Sequence, residues 1–179
     1  MMLNEVPCMT LNLVLVEPRI AANTGNIART CAATGAHLHI VKPAGFVPDD
    51  AKLKRAGLDY WHLLNLTWYE NLEEYLSATV TQECFFLTTK APRAHSEISY
   101  PDGAHLVFGR EDMGLPEALL AANETRCVRI PMIDDARSLN LSNAAAVACY
   151  EVLRQWGYPE LTSQGRLREF DWSGHVFPL

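Results

Sequence analysis

The 179-residue chain has no apolar run long enough to cross a membrane, and its first ten residues contain no lysine or arginine. A membrane-spanning helix needs about 20 apolar residues, whereas the apolar runs here have the length of strands. A secretory signal peptide begins with positive charge, but this N terminus carries Glu5 and Pro7. These absences predict a soluble, cytoplasmic protein.

Paired cysteine motifs are absent too. The five cysteines are Cys8, Cys31, Cys84, Cys127 and Cys149, and no two form a Cys-x-x-Cys pair. The sequence therefore predicts neither a zinc site nor a disulfide framework, and we expect reduced thiols. His37 and His39 share one face of a short predicted strand, but they lack a third ligand nearby, so no metal site is predicted.

Positive charge is scarce: 15 Lys and Arg against 21 Asp and Glu give a net charge of −6. This balance argues against a protein that binds nucleic acid through its overall charge. A local basic patch remains compatible with the sequence, with a solvated helix face as the alternative; it would comprise Lys52, Lys54, Arg55, Lys90, Arg93 and Arg110. The rings of Tyr60, Trp61 and Trp68 could stack on bases, although core packing is the favoured interpretation. His95 is expected at the surface.

The dinucleotide fingerprint Gly-x-Gly-x-x-Gly is missing, which disfavours a nicotinamide- or flavin-dependent oxidoreductase. What the chain has is a regular alternation of apolar, strand-length runs with helical stretches. This alternation predicts a single-domain α/β fold with a parallel sheet covered on both faces. The predicted strands are 11–16, 37–41, 64–68, 83–88, 105–108 and 127–130. The predicted helices are 23–34, a short helix from Asp49 with Gly57 beyond it, 71–77, 116–122 and 142–156.

Three parts of the chain are distinguished by this pattern. Residues 1–10 form a short extension, residues 11–158 the α/β domain and residues 159–179 a C-terminal tail. Trp172 and Phe177 in the tail suggest docking on the domain or on a partner. In parallel sheets of this kind, ligands bind beyond the carboxyl ends of the strands. That rule selects the loops that follow Val16, Thr88, Phe108 and Ile130.

The first of these loops leads into residues 23–30, which read NTGNIART. Asn23 or Thr24 is the expected N-cap of the helix, and Gly35 the residue beyond its end. Asn26 and Arg29 lie three residues apart and share a helix face. Alone, this segment is equally compatible with a capped helix that carries a solvated arginine.

The other two loops are richer in polar groups and glycines. In residues 108–116, FGREDMGLP, two glycines bracket Glu111 directly after a buried strand. In residues 130–149, IPMIDDARSLNLSNAAAVAC, an apolar strand end runs through a polar loop into a helix of small residues. Ser142 or Asn143 is its expected N-cap. A simple capping loop would explain Ser142 and the alanines, but not Arg137, Ser138 and Asn140 together.

In this order, the three loops resemble the motifs of the SPOUT class (TrmH-like) of RNA methyltransferases. Asn23-x-Gly25-x-x-x-Arg29 resembles the first motif, and Phe108-Gly109-x-Glu111-x-x-Gly114-Leu115 the second. Ile130-Pro131-Met132 with residues 138–144, SLNLSNA, resembles the third. Residues 49–60 and 87–90 are similar to the small branch that methylates the ribose of the tRNA wobble nucleotide. The resemblance spans residues 11–158.

The resemblance implies a trefoil-knotted α/β domain, with the chain after Ile130 threaded through an earlier loop. It also implies a homodimer that binds S-adenosylmethionine in the knot, with each active site near the interface. By position, Leu87, Thr88, Gly109, Ile130, Met132, Ser138 and Leu139 would bind the cofactor. The residues matching the polar positions around the reacting centre are Arg29, Asn23, Glu111, Ser138 and Asn140.

The implied activity is methylation of the ribose 2′-hydroxyl of the wobble cytidine or modified uridine in the anticodon region of tRNA. The alternatives are another tRNA or rRNA ribose, or a knotted RNA-binding protein without catalysis. A charged guanidinium has no lone pair, so we expect Arg29 to hold a phosphate and stabilise a developing alkoxide. Arg110 stands where the wobble-methylating relatives have a proline, which predicts either a phosphate contact or an altered stiffness of the loop.

Overall fold

The computed structural model describes residues 9–47, 61–80, 82–170 and 172. The predicted helix from Asp49, its three basic residues and Tyr60 lie outside the described residues. The strands are β1 (Asn12–Val16), β2 (His37–Val41), β3 (Leu66–Tyr69), β4 (Cys84–Leu87), β5 (His105–Phe108) and β6 (Cys127–Val128). The helices are α1 (Ala21–Thr34), α2 (Leu72–Ala78), α3 (Glu117–Ala121) and α4 (Leu141–Gln155), with 3-10 turns at Trp61–Leu63, His95–Glu97 and Glu124–Arg126.

The six described strands form one sheet in the order β3-β2-β1-β5-β4-β6. Every pair is parallel, as predicted. Alternate residues of β1 serve opposite faces: Leu13 and Leu15 belong to the core under α1 and α4, Val14 and Val16 to the core under α2 and α3. Both faces of the central strands are therefore buried, which explains their continuous apolar sequences.

Helix α1 begins at Ala21, two residues before the predicted start, so neither Asn23 nor Thr24 is its N-cap. The N-cap position is Ile20, whose side chain makes no capping hydrogen bond. The prediction was wrong because the N-terminal end of the helix is held from a distant loop, described below. Gly35 does end the helix, with φ of 74°.

Helix α4 begins at Leu141, and its N-cap is Asn140 in place of the predicted Ser142 or Asn143. The Asn140 side chain accepts hydrogen bonds from the backbone N–H groups of Ser142 and Asn143. Asparagine is among the preferred N-cap residues, and Asn140 takes this role two residues upstream of the nearer predicted cap. Strand β6 is also shorter than predicted and ends at Val128.

The segment between β6 and α4 carries the chain back across the sheet. Strand β6 lies at one edge, three strand spacings or about 14 Å from β1. Helix α4 nevertheless packs beside α1 over the middle of the sheet. This return brings the start of α4 next to the start of α1, although the two are distant in sequence.

A buried cluster of rings occupies the face of the sheet opposite α1. We call it the histidine cluster; it comprises Asn12, His37, His39, Tyr69, Tyr75 and His105. His39 Nδ1 lies 3.1 Å from Tyr69 Oη and its Nε2 3.0 Å from Asn12 Oδ1. Burial first, and the neighbouring His37 second, lower the pKa of His39 to about 3 and that of His105 to about 4. The His37 and His39 pair is thus part of a hydrogen-bonded core.

Among the described residues, no group of three histidine, cysteine or acidic side chains is placed to hold a metal ion. His95 corrects another expectation, because it is buried and not at the surface. Trp68 is half-buried and packs against the core, the interpretation favoured above. None of the described helices combines the length and the apolar character needed to span a bilayer.

Candidate active site

A cavity of about 640 Å³ opens at the carboxyl edge of β1, β4, β5 and β6. Its walls come from the loops that follow these strands, the four loops that the sequence selected. Apolar lining residues include Leu87, Ile130, Met132, Leu139 and Leu141, and polar ones Asn23, Thr88, Glu111, Ser138 and Asn140. Its size falls within the range of about 300–1,000 Å³ typical of small-molecule sites.

Glu111 joins two of these loops. One carboxylate oxygen accepts from the backbone N–H of Arg19 at 2.8 Å. The other accepts from the backbone N–H of Ile20 and from Asn23 Nδ2, each at 3.1 Å. The carboxylate therefore binds the N-cap residue of α1 and the residue before it, at the end of the helix where the dipole favours negative charge. With three donors already bound, Glu111 is suited to anchoring the loop and not to accepting a substrate proton.

Asn140 adds the third loop to this arrangement. Its Nδ2 donates to Asn23 Oδ1 at 2.9 Å, and its Oδ1 accepts from the backbone N–H and the hydroxyl of Ser142 at 2.9 and 2.7 Å. We call Asn23, Glu111 and Asn140 the loop network. It ties together the N-termini of α1 and α4 and the loop after β5, so the cavity walls have fixed relative positions.

The two glycines of the second motif serve the shape of their own loop. A Cβ atom on Gly109 would lie 2.1 Å from the carbonyl carbon of Gly114, so no larger residue fits at position 109. Gly114 has φ of 72°, a conformation that other residues rarely adopt. Residues Arg110 and Gly114 also pair through their backbones. Both glycines therefore let the loop fold on itself, and Gly109 also lines the cavity.

The third loop, residues 130–140, has little regular structure. Within the described part of the chain, its backbone forms one internal hydrogen bond, from Ala136 N–H to Ile133 O. The carbonyl of Asn140 accepts from the backbone N–H of Ala144 in α4, and the remaining peptide groups of this described loop form no backbone–backbone hydrogen bond within it. Ser138 is exposed, as is Arg137, and both line the cavity. This loop therefore offers backbone donors and acceptors next to apolar side chains.

The structure brings together nearly all the predicted site residues. All seven predicted cofactor residues line the cavity: Leu87, Thr88, Gly109, Ile130, Met132, Ser138 and Leu139. Four of the five predicted catalytic residues also line it: Asn23, Glu111, Ser138 and Asn140. Arg29 does not. It follows Asn23 by six residues and so lies about a third of a turn away around α1.

Arg29 belongs to an exposed stripe on α1, with Ala22, Asn26 and Ala33 at helical spacing. Helix α4 carries a matching stripe, comprising Asn143, Val147, Tyr150 and Arg154. Val147 is 44% exposed and Tyr150 48%, which is unusual for large apolar side chains on a packed helix. Because α1 and α4 pack side by side, these two stripes form one surface.

The cations near the cavity are largely paired with carboxylates. Lys90 bonds to Glu117, and this contact lowers the pKa of Glu117. Arg110 bonds to Asp112 and lies 3.5 Å from Glu17. Of the predicted basic patch, Lys52, Lys54 and Arg55 lie outside the described residues. Lys90 and Arg110, two of the three described residues of the patch, thus carry compensating negative charge.

Sequence reasoning missed Ile20 and Met113, two exposed apolar residues in the cavity lining. It also missed Glu17 and Arg19, which fix the loop after β1. The signal that could have identified them is a pair of opposite charges, Glu17 and Arg19, directly after the end of a strand.

Comparisons with known proteins agree with this geometry. The model of the SpoU rRNA methylase family matches residues 10–150. The tRNA (cytidine(34)-2'-O)-methyltransferase of Escherichia coli (strain K12) is 51% identical over 150 residues, covering 83% of this chain and 96% of that protein. A solved structure that gives insights into the 2-OH methylation of C/U34 on tRNA has a TM-score of 0.80 and 41% identity, covering 83% of this chain and 97% of that one.

The SpoU methyltransferase AviRb from Streptomyces viridochromogenes, solved with AdoMet, shares the fold at a TM-score of 0.74 and 24% identity, covering 82% of this chain and 58% of that one. The predicted fold class, a parallel α/β domain of the knotted SPOUT type, is confirmed. The chain belongs to the SpoU rRNA methylase family.

Proposed function

We propose that the protein methylates the ribose 2′-hydroxyl of the wobble nucleotide of tRNA, with S-adenosylmethionine as methyl donor. The observation that carries this proposal is the cavity built from all three motif loops. Relatives about half identical to this chain act on cytidine 34 of tRNA. Wobble cytidine or modified uridine is therefore the proposed target.

The residues present fit such a donor. The free peptide groups of loop 130–140 suit the hydrogen-bonding edge of an adenine, and the apolar side chains of Ile130, Met132 and Leu139 suit its faces. We assign cofactor binding to these residues together with Leu87, Thr88, Gly109 and Ser138. The bound donor carries a methyl group on a positively charged sulfur, and this methyl group is transferred to the ribose oxygen.

In this proposal the loop network is positioning machinery. In-line transfer needs the acceptor oxygen held against the methyl carbon, and small displacements are costly in rate. Asn23, Glu111 and Asn140 hold the walls, and the exposed hydroxyl of Ser138 contacts the bound nucleotide or donor. The hydroxyl proton leaves to the neighbouring phosphate or to water, while Arg29 stabilises the developing alkoxide.

Because Arg29 does not line the cavity of its own chain, we propose that it reaches the cavity of a second copy. The exposed stripes of α1 and α4 form the contact surface of the homodimer. Val147 and Tyr150 give this surface an apolar centre, and Arg29 lies within it. A dimer also doubles the cationic surface available to tRNA.

The remaining assignments follow from this function. The catalytic unit is residues 11–158, and the family match over residues 10–150 supports it. Residues 162–170 of the tail are exposed. For a protein that acts on tRNA we propose a cytoplasmic location, and the proposed reaction requires neither a membrane partner nor a metal.

The test is incubation of the protein with labelled S-adenosylmethionine and unmodified tRNA transcripts, followed by mass spectrometry of the nucleosides. We expect 2′-O-methylation at position 34. Methylation at another ribose would redirect the substrate assignment, and binding of donor without any turnover would favour the non-catalytic alternative.

A mixing experiment tests the shared site. Arg29→Ala and Ser138→Ala homodimers should each lose about 10²–10³ in rate. If Arg29 acts across the interface, each mixed dimer recovers one intact site and about half of the wild-type activity, so an equimolar mixture recovers about a quarter. Failure of the mixture to recover, with subunit exchange verified, would place Arg29 in its own chain's site.

A further inference from the structure

We propose that Arg110 is a positioning residue that locks the loop after β5 onto the loop after β1, and thereby sets the affinity of the cavity for the methyl donor. The identity of the ligand rests on the proposed function. The lock itself rests on contacts in the protein alone.

Arg110 makes a two-pronged contact within its own loop. Its Nε lies 2.9 Å from Asp112 Oδ1, and its Nη2 lies 2.7 Å from Asp112 Oδ2. The backbone N–H of Gly114 donates to the carbonyl of Arg110 at 2.9 Å. The side chain and the backbone of Arg110 therefore both close the turn that lines the cavity. A planar guanidinium can do this, whereas an ammonium group cannot match both carboxylate oxygens.

The same guanidinium extends to the other loop. Nη1 of Arg110 lies 3.5 Å from Glu17 Oε2, which also accepts from Arg19 Nη2 at 3.1 Å. Glu17 is itself held in place, because its backbone N–H donates to Val41 O at 2.9 Å and its φ is 50°. Arg110 thus bridges a folded loop and a fixed strand end.

The neighbouring residue, Glu111, contacts the same partner loop with the opposite charge. Glu111 accepts from the N–H groups of Arg19 and Ile20, while Arg110 pairs with Glu17. Two adjacent residues of opposite charge therefore meet two adjacent parts of one loop. A shift of one residue would bring like charges together, so this arrangement specifies a single register between the loops.

A direct contact between Arg110 and an RNA phosphate is the competing role. The Arg110 side chain is only 24% exposed, and three of its N–H groups face carboxylates. Its hydrogen bond to Asp112 lowers the pKa of that carboxyl, so the pair stays charged at neutral pH. A phosphate would have to displace Asp112 from a bidentate contact.

The test uses the full-length protein with Arg110→Ala, Arg110→Lys and, as a second way to break the contact, Asp112→Asn. Arg126→Ala, which removes a surface ion pair with Glu83, is the matched control. Calorimetry with S-adenosylmethionine in the absence of RNA measures donor affinity. Hydrogen exchange of the ligand-free protein measures the stability of loops 17–23 and 109–115.

For Arg110→Ala we expect the donor Kd to rise about 3- to 10-fold, since partly exposed ion pairs contribute modestly. Exchange should accelerate in both loops and nowhere else. Asp112→Asn should behave alike, Arg110→Lys should be intermediate, and Arg126→Ala should match the wild type. The kcat at saturating donor should change less than 2-fold.

Two outcomes would overturn the proposal. Unchanged exchange in both loops would show that Arg110 locks nothing. The donor Kd could instead stay unchanged while tRNA binding weakens and the slope of log K for tRNA against log salt concentration falls in magnitude by about 1. That result would make Arg110 a phosphate contact. If the wild type binds no donor, the proposed function fails, and the exchange measurement alone still decides the lock.

Discussion

The loop network and the histidine cluster are both groups of hydrogen-bonded polar side chains, yet they differ in what lies beside them. Both connect segments that are far apart in sequence, such as Asn23 with Asn140 and Asn12 with His39. The loop network borders an open cavity at the carboxyl edge of the sheet. The histidine cluster is closed, with rings stacked on each other, as in the pair His37 and His39 at 4.2 Å.

This difference separates function from stability. Residues of the histidine cluster have partners and no adjoining space, so burial and pairing account for them fully. Residues of the loop network hold walls around a volume large enough for a ligand. Chemical type alone did not separate the two groups, since histidine is the more common catalytic residue. An open cavity beside a polar network is therefore a better criterion for a functional site than the type of its residues.

The largest effect should come from Glu111→Gln. The amide presents a donor where three N–H groups need an acceptor, so the start of α1 shifts away from the cavity. We expect methyl transfer to tRNA to fall at least about 100-fold, because displacements of about 1 Å at a reacting centre cost that much. Glu117→Gln is the control, since Glu117 is exposed and outside the cavity lining. Normal turnover of Glu111→Gln would contradict an anchoring role.

The histidine cluster should make the free energy of unfolding depend on pH. The folded pKa values of about 3 for His39 and about 4 for His105 lie below the ordinary value near 6.5. The unfolded chain therefore binds more protons as pH falls below 6.5, and the free energy of unfolding should drop. Between pH 7 and 5 we expect a loss of about 1–2 kcal/mol per histidine, measured by urea unfolding.

The window above pH 5 avoids the titration of carboxylates. His62, an exposed histidine, supplies the control: His62→Gln should leave the pH dependence unchanged. His39→Gln should make the free energy of unfolding less dependent on pH. If the free energy of unfolding of the wild type did not change between pH 7 and 5, the cluster would be able to accept protons without destabilising the fold.

Asn140→Asp divides the two tasks of one side chain. The carboxylate keeps an acceptor for the N–H groups of Ser142 and Asn143, so the cap of α4 should survive and stability should change by less than about 0.5 kcal/mol. The donor to Asn23 Oδ1 is lost, and two acceptors then face each other. We expect activity to fall about 10-fold. Equal losses of stability and activity would mean that the bridge to Asn23 is unimportant.

The smallest effect should come from Tyr75→Phe in the histidine cluster. Tyr75 Oη lies 2.9 Å from His105 Nδ1 and 3.5 Å from Cys84 Sγ, and both atoms would lose this partner. The expected cost is about 1 kcal/mol of unfolding free energy, with donor affinity and turnover unchanged. A loss of activity larger than the loss of stability would show that the cluster communicates with the cavity.

Much of the fold was predictable because apolar strands of a parallel sheet stand out in a sequence. All six described strands overlap their predicted ranges, and α1 ends at the predicted glycine. The start of α1 was predicted wrongly because its N-terminal end is held from elsewhere, whereas the start of α4 was wrong although its cap, Asn140, is local. Glu111 holds the N-terminal end of α1 from a loop 91 residues downstream of Ile20, and no local pattern reports such a contact.

The site was predictable as a set of lining residues, because the rule of strand carboxyl ends chose the right loops. The roles of the individual lining residues were not predictable. Asn23, Glu111 and Asn140 match the polar positions of a reacting centre, yet their hydrogen bonds go mainly to each other and to helix termini. Arg29 shares their motif but faces another surface. Six residues along a helix separate Arg29 from Asn23 by about a third of a turn, and the sequence does not tell which face of the helix borders the cavity.

The reach of Glu111 and Asn140 back to α1 also dictates when the protein becomes competent during synthesis. Both bonds to Asn23 span 88 and 117 residues, so the pocket cannot assemble until most of the chain has left the ribosome. Contacts of such long range form late in folding. A ligand that recognises only the completed pocket will stabilise finished molecules and ignore nascent ones.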